Sequence, residues 1–345
     1  MKVLKQIFLF LITFTVTLLI CEMFFRTSYV AMVSSSDFYN DIGRGNRSGL
    51  TYVYFNEGFG IGKYNEYRYL GEAVPPEKDP NTLRIALLGD SYIESFQVFE
   101  RHYFGNIIEE ELAGRIPNKK IEVLNFGRSG FDIGDVYAYH NTFVQKFDPD
   151  FVVYILSNDD LSPKNPDPLL PKVRMINDSL TINFDFDAGQ IAAFEYSKFF
   201  IHNFTIFQIM NSVRKKAAKT PILPILFQKC YDWLKPESVE KKSSDKKSFQ
   251  LDPITKIIFE KLDQERVIVV NSDYEKFPGE ILGICLERNL KFIDLSAILN
   301  SYLVSGQDLN YWKATGRRGH WNHKGHIVIG KFLSDRFHRM IKGPE

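Results

Sequence analysis

The chain has 345 residues, 14% of them aromatic, and its 43 basic and 42 acidic residues leave a formal net charge of +1. That length accommodates a short terminal segment plus one large domain, or one domain with an insertion. The charge balance argues against nucleic acid as a partner, since a phosphate-binding face leaves a basic excess, and the three cysteines, Cys21, Cys230 and Cys285, are too few for a disulfide framework.

Lys2 and Lys5 precede an apolar stretch over residues 7–21, which is followed by Glu22, Met23-Phe24-Phe25 and Arg26. Allowing for the single carboxylate, the span is about 19 residues, close to the roughly 20 that a helix needs to cross a bilayer. No small-x-small cleavage site follows it closely, and in Leu18-Leu19-Ile20-Cys21 an isoleucine stands where a lipoprotein box has a small residue. Residues 1–30 are therefore read as an uncleaved transmembrane anchor. The excess of positive charge before the span places the rest of the chain outside the cytoplasm, in the periplasm or at the cell surface. Residues 31–80, mixed in Tyr, Gly and Asn, read as an irregular or β-rich lead-in that packs on the following domain and is able to line a cleft.

The run Leu83-Arg84-Ile85-Ala86-Leu87-Leu88 reads as a strand that delivers Gly89-Asp90-Ser91 to its carboxyl end, where open α/β sheets keep their chemistry. Residues 121–125 alternate and run into the glycine-punctuated turn Phe126-Gly127-Arg128-Ser129-Gly130. Residues 151–156 form a continuous β-branched and aromatic run, as in buried parallel strands, and lead into Ser157-Asn158. A Pro-rich loop at 161–171, a hairpin over about 173–186 and a helical stretch over 191–216 follow. The last has no motif and reads either as a lid or acceptor-recognition element or as a decoration away from substrate. The charged, serine-rich run 236–248 has too little apolar surface to order itself and reads as a mobile loop. Strands at 267–270 and 291–295 with a helix near 278–288 resume the α/β alternation, which implies a mainly parallel sheet with helices on both faces. The last block is Gly319-His320-Trp321-Asn322-His323-Lys324-Gly325-His326. Its histidine spacing suggests metal ligands, but positions three apart drift around a helix and no Cys or Glu stands at ligand spacing. Asn322 reads instead as the cap of the final helix, and no metal or cofactor is expected.

Acyl transfer needs a nucleophile, a base and donors aimed at the oxygen that becomes negative. Ser91 is the candidate nucleophile and His320 the candidate base. The N–H groups of Ser91 and Gly130 and the side-chain amide of Asn158 are the candidate oxyanion donors. Gly127-Arg128-Ser129-Gly130 misses the nucleophile-elbow spacing by one residue, which makes Ser129 a weak rival.

These four blocks, carrying Ser91, Gly130, Asn158 and His320, resemble those of the SGNH, or GDSL-type, hydrolase superfamily over roughly residues 83–340. The resemblance implies a three-layer α/β/α, SGNH- or flavodoxin-like fold over residues 81–345, with an insertion at about 161–250. It also implies a serine esterase acting on an acyl-ester substrate. Lys63-Tyr64-Asn65-Glu66-Tyr67-Arg68 and the closing His-Trp-Asn block are similar to bacterial envelope-associated members, for which an O-acetylated polysaccharide is the implied substrate. An acyltransferase of the same fold, moving the acyl group to a sugar, shares every motif. One departure matters: members usually carry an aspartate two or three residues before the histidine, and this chain has Arg317-Arg318 there. The site is then a Ser-His dyad, a site that recruits its acid elsewhere, with Asp308 the nearest acidic residue upstream, or an impaired site in a glycan-binding or assembly protein.

Overall fold

The computed structural model describes residues 2–28, 36–163, 167–177, 179–219 and 251–342. Cys230 and the charged run at 236–248 lie outside the described residues. The chain divides into two compact units, Met1–Ser34 with Ala193–Phe249, and Ser35–Ala192 with Gln250–Glu345.

The larger unit opens with two antiparallel hairpins, β1 (Ser36–Tyr39) with β2 (Gly43–Asn46) and β3 (Thr51–Tyr54) with β4 (Gly60–Lys63). The strands β5 (Thr82–Gly89), β6 (Lys120–Asn125) and β7 (Phe151–Leu156) follow, then an antiparallel hairpin of β8 (Lys172–Ile176) and β9 (Ser179–Asn183), then β10 (Val267–Asn271) and β11 (Lys291–Asp294). The central sheet has the order β11-β10-β7-β5-β6, and every neighbouring pair in it is parallel. After β5 the chain steps outward to β6 and then returns to build the sheet from the other side of β5. The strand order therefore reverses between β5 and β7, which opens a crevice at their carboxyl ends.

Successive side chains of a strand point to opposite faces, and both faces here are covered. Leu83, Ile85 and Leu87 pack with Phe104, Ile108 and Leu112 of helix Phe104–Arg115, and with Ile329, Leu333 and Phe337 of the last helix, His323–Lys342. Ala86 and Leu88 face the other way, onto Ile133 and Val136 of helix Ile133–Thr142 and Ile258 and Phe259 of helix Pro253–Lys261. This is the expected three-layer α/β/α arrangement.

The apolar pattern of β5 is broken by Arg84, which is wholly buried. Its register partner across the ladder is Glu122 of β6, and Arg84 Nε donates to Glu122 Oε2 at 2.7 Å. Its Nη1 donates to Pro76 O at 2.9 Å, so the pair also ties the lead-in to the sheet. A buried carboxylate stripped of its partner costs several kcal/mol.

The smaller unit contains α1 (Lys2–Thr27), a 26-residue helix with an 18-residue stretch of mean hydropathy 2.4 and no buried residue. At 1.5 Å per residue it is about 39 Å long, enough for a hydrocarbon core of about 30 Å. The helical stretch read at 191–216 is two helices, Ala188–Asn203 and Thr205–Lys219, interrupted at Phe204.

Arg84→Met is expected to lower the stability of the sheet unit by roughly 1–3 kcal/mol, since Glu122 keeps Lys120 at 2.8 Å, read as a drop in the urea midpoint. An unchanged midpoint would refute the account of this ion pair.

Candidate active site

At the end of β5 the chain turns sharply into the short helix Ser91–Glu94. Asp90 caps it, its Oδ1 accepting the Tyr92 N–H at 2.9 Å. This leaves Ser91, half-buried, at the carboxyl end of the strand beside the crevice. Ser91 Oγ lies 2.7 Å from His320 Nε2 and 3.4 Å from Asp90 Oδ2. The first is a full O–H···N hydrogen bond and the second is weak, so the hydroxyl proton is directed at the imidazole. Burial lifts the Asp90 carboxyl above its ordinary value, against the pull of the Tyr92 N–H and of His320.

His320 stands in the loop before the last helix. Its Nδ1 is 2.8 Å from Glu57 Oε2, and its own main-chain N–H donates to the same oxygen at 2.9 Å. Glu57 is buried and lies in the turn between β3 and β4. Burial pushes the Glu57 carboxyl upward, but the hydrogen bonds and charge of His320 outweigh it and hold it below its ordinary value. A carboxylate on Nδ1 places the proton there and leaves Nε2 as the acceptor facing Ser91.

Several features seat Glu57 there. Tyr52, Tyr54 and Tyr64 of the hairpin pack around Phe96, with ring centroids 4.6, 6.2 and 6.3 Å away. A short hairpin of β12 (Tyr311–Trp312) and β13 (Arg317–Arg318) clasps the turn. In it Thr315 Oγ1 donates to Glu57 O at 2.8 Å, and Arg317 Nη1 donates to Asn56 O and Oδ1, each at 3.3 Å. Trp312 Nε1 donates to His320 O at 2.9 Å. Gly319 completes the fit: a Cβ there would lie 2.3 Å from Glu57 Cδ and 2.5 Å from both carboxylate oxygens.

Asp308, the acid suggested by proximity in sequence, is engaged elsewhere. Its Oδ2 takes Arg318 Nε at 2.6 Å, and its Oδ1 accepts from Asn310 N at 2.9 Å and from Tyr274 OH at 3.2 Å. Tyr274 also donates to Asn310 Oδ1 at 2.9 Å, and Asn310 Nδ2 donates to Gly319 O at 2.7 Å. Asp308 therefore reaches the histidine loop only through other side chains. Arg318, two residues before His320, has captured it.

Asn322 Oδ1 accepts the Gly325 N–H at 3.0 Å and so caps the last helix, fixing the loop just before it. Trp321 is fully buried, with its ring 5.6 Å from that of Phe104. His326 is fully buried and accepts the Phe104 N–H on Nδ1 at 3.3 Å. Burial drives its pKa down to about 3, so it stays neutral. Among the described residues no group of three His, Cys, Asp or Glu could hold a metal ion.

The turn after β6 is joined to the end of β5. Phe126 N donates to Leu87 O at 2.9 Å and Arg128 N to Gly89 O at 3.0 Å. This brings Gly130 into the region of Ser91, exposed and with φ of +84°, a conformation that favours glycine. Glu94, fully buried one helical turn after Ser91, holds the turn down. Its carboxylate accepts the Ser129 N–H and the Tyr64 hydroxyl, at 2.8 and 2.9 Å, and also the Ser129 hydroxyl. Ser129 is thus a structural tie whose hydroxyl is held by the buried Glu94, with no histidine bonded to it among the described residues. Asn158 follows β7 and opens a 3-10 turn in which Asp160 accepts from Ser157 N and Oγ at 2.8 and 2.7 Å. Asn158 Nδ2 donates to Asp273 Oδ2 at 3.3 Å and to Glu275 O and Lys276 O at 3.4 Å. These contacts are long, and no direct hydrogen bond links Asn158 to Ser91 or His320 among the described residues.

Sequence reasoning missed Glu57 and Glu94. The signal for Glu57 was an acidic residue beside Gly58 and Gly60 in the lead-in, where the chain approaches other backbone closely. A Cβ at Gly60 would lie 2.1 Å from Phe96 O.

No family model and no curated protein matches the chain. Among solved structures it is similar to a lipase/acylhydrolase from Enterococcus faecalis, at 15% identity over 74% of this chain and 95% of that one, with a TM-score of 0.38. It is also similar to Axe2, an acetylxylan esterase from Geobacillus stearothermophilus, at 14% identity over 76% and 97% of the two chains and a TM-score of 0.35. A third is a lipolytic protein of the G-D-S-L family from Desulfitobacterium hafniense, at 12% identity over 74% and 99% and a TM-score of 0.34.

Glu57→Gln keeps the size of the side chain but removes its charge. It is expected to slow fluorophosphonate labelling of Ser91 by about 10³- to 10⁴-fold, whereas Asp308→Asn, which loses the ion pair with Arg318 but no contact with His320, should slow it by about tenfold or less. The reverse ranking would sink the assignment of Glu57. Because the folded-state pKa of Glu57 lies below its ordinary value of 4.5, its contribution to stability is present above that pH and is lost as pH falls through the folded value. The stability difference between wild type and Glu57→Gln should therefore shrink on acidification below pH 4.5, measured by urea unfolding across that range.

Proposed function

We propose that this protein is a membrane-anchored serine esterase in which Ser91, His320 and Glu57 form the catalytic triad. One observation carries the reading: the unbroken chain of hydrogen bonds, 2.7 Å from Ser91 Oγ to His320 Nε2 and 2.8 Å from His320 Nδ1 to Glu57 Oε2. In this reading Ser91 Oγ attacks the ester carbonyl while its proton passes to Nε2. Glu57 orients the ring and stabilises the imidazolium. His320 returns the proton to the leaving alcohol, and a water activated by the same nitrogen then cleaves the acyl-Ser91 ester.

The N–H groups of Ser91 and Gly130 and the amide of Asn158 are the proposed oxyanion donors. The long contacts of Asn158 Nδ2 favour this, because an oxygen gaining negative charge competes well for a weakly held donor. The contact of Glu57 with His320 supports an active site over an impaired, purely glycan-binding protein.

An O-acetyl group on an envelope carbohydrate is the proposed substrate. The resemblance of the four blocks to the SGNH superfamily supports it. So do Phe55 and Phe59, exposed on either side of the Glu57 turn, and Tyr311, exposed on the hairpin that clasps it, which offer apolar ring faces to a sugar. The helix Lys2–Thr27 is the proposed anchor. Lys2 and Lys5 on its amino-terminal side favour placing the triad outside the cytoplasm.

Purified full-length protein in detergent should cleave p-nitrophenyl acetate, with no turnover in Ser91→Ala or His320→Ala. Asn158→Ala should lower turnover by roughly 100- to 1000-fold. Full activity in Ser91→Ala would refute the mechanism. Release of free acetate from an acetylated glycan supports hydrolysis, whereas transfer to an added glycan without acetate release would make the protein an acyltransferase.

A further inference from the structure

In the helix Thr205–Lys219 the usual relation between polarity and burial is inverted. Phe207, Met210 and Val213 are 43%, 59% and 60% exposed, whereas the polar residues Thr205 and Gln208 are 8% and 6% exposed. Gln208 is turned inward, its Nε2 donating to Ile201 O at 2.8 Å. Tyr196, Phe199 and Phe204 of the preceding segment are also exposed. They join Phe200 and Phe207 in a chain of ring contacts with centroids 5.2 to 5.9 Å apart. A contiguous apolar surface of this kind marks a protein or membrane contact.

Two observations select the membrane. The first is continuity with α1. Glu22, the carboxylate at the end of its apolar stretch, accepts the N–H groups of Thr205 and Ile206 at 2.8 and 3.0 Å, and Arg26 donates to Asn203 O at 2.6 Å. These bonds fix the start of the amphipathic helix at the carboxyl end of a span whose apolar side chains are exposed all round. The second is charge. The sequence of the helix contains Arg214, Lys215, Lys216 and Lys219 and no acidic residue, and a segment that combines apolar and aromatic residues with basic ones suits an interface with anionic lipid.

We propose that helix Thr205–Lys219, with the aromatic residues 196–204 before it, lies in the headgroup region of an anionic bilayer at the carboxyl end of the α1 span. It forms a second membrane contact for the chain. The proposal rests on the reading of α1 as a transmembrane anchor.

The test uses the full-length chain with Cys21, Cys230 and Cys285 replaced and one cysteine introduced at a time: Met210→Cys, Val213→Cys, Asn211→Cys or Ile12→Cys. Each is labelled with a polarity-sensitive fluorophore and reconstituted in vesicles of phosphatidylcholine and phosphatidylglycerol. Retained Ser91 labelling by fluorophosphonate selects the folded variants. A lipid nitroxide near the headgroup should quench positions 210 and 213 about twofold more than the half-buried position 211, and aqueous iodide should quench 210 and 213 only weakly. A nitroxide deep in the acyl chain should quench position 12. Quenching of 210 and 213 by iodide alone would overturn the proposal, as would shielding from both quenchers, which indicates cover by protein. If position 12 is not quenched by the deep nitroxide, the anchor reading fails and takes this inference with it. Quenching at 12 without lipid quenching at 210 and 213 overturns the interfacial helix alone.

Discussion

One carboxylate oxygen, Glu57 Oε2, accepts two N–H groups of the same residue, the ring Nδ1–H and the main-chain N–H of His320. The double contact fixes both where the imidazole sits and which way it is turned, because rotation of the ring away from Ser91 would break a charge-assisted hydrogen bond in a buried setting. Much of the surrounding architecture serves this contact. Gly319 has no side chain to obstruct it, Trp312 holds the carbonyl of His320, and the hairpin of β12 and β13 grips the turn that carries the acid. The two arginines of that hairpin are turned to Asn56 and Asp308.

The sheet supplies the other half of the site. Reversal of strand order between β5 and β7 leaves a crevice at their carboxyl ends, and Ser91, Gly130 and Asn158 lie just after β5, β6 and β7. The turn bearing Gly130 is bonded to β5 through its main chain and to the helix of Ser91 through Glu94. Reactive groups are thus mounted on rigid elements and cross-braced by buried carboxylates, which limits the reorganisation left for the chemical step.

The strands of the central sheet were legible because strands covered on both faces are written as continuous β-branched and apolar runs, and 83–88, 151–156 and 267–270 are of that kind. The carboxyl ends of those runs marked Ser91 and Asn158, and the capping residue Asn322 marked the loop that holds His320. The acid was not legible. Reading back from the histidine pointed to Asp308, but a neighbour in sequence is a partner only if nothing nearer competes, and Arg318 competes for Asp308 successfully. Glu57 meets His320 through docking of a hairpin, a tertiary event that leaves no spacing rule in the sequence. Glu94 was hidden for a related reason: nothing in its immediate neighbours announces that a carboxylate will be buried under a turn more than 30 residues away.

The Glu57–His320 contact joins positions 263 residues apart, so the triad has a very high contact order. Closing so long a loop is entropically unfavourable until the sheet has formed and the last helix has docked. The full Ser91–His320–Glu57 arrangement is then one of the final features the chain acquires as it folds. A collapsed intermediate carrying Ser91 and His320 would lack the carboxylate that orients the imidazole, and under the proposed function it would be a poor catalyst until the fold was complete. A cut placed just before β5, the first strand of the central sheet in the chain, would leave the same incomplete constellation permanently, with Ser91 and His320 but without Glu57.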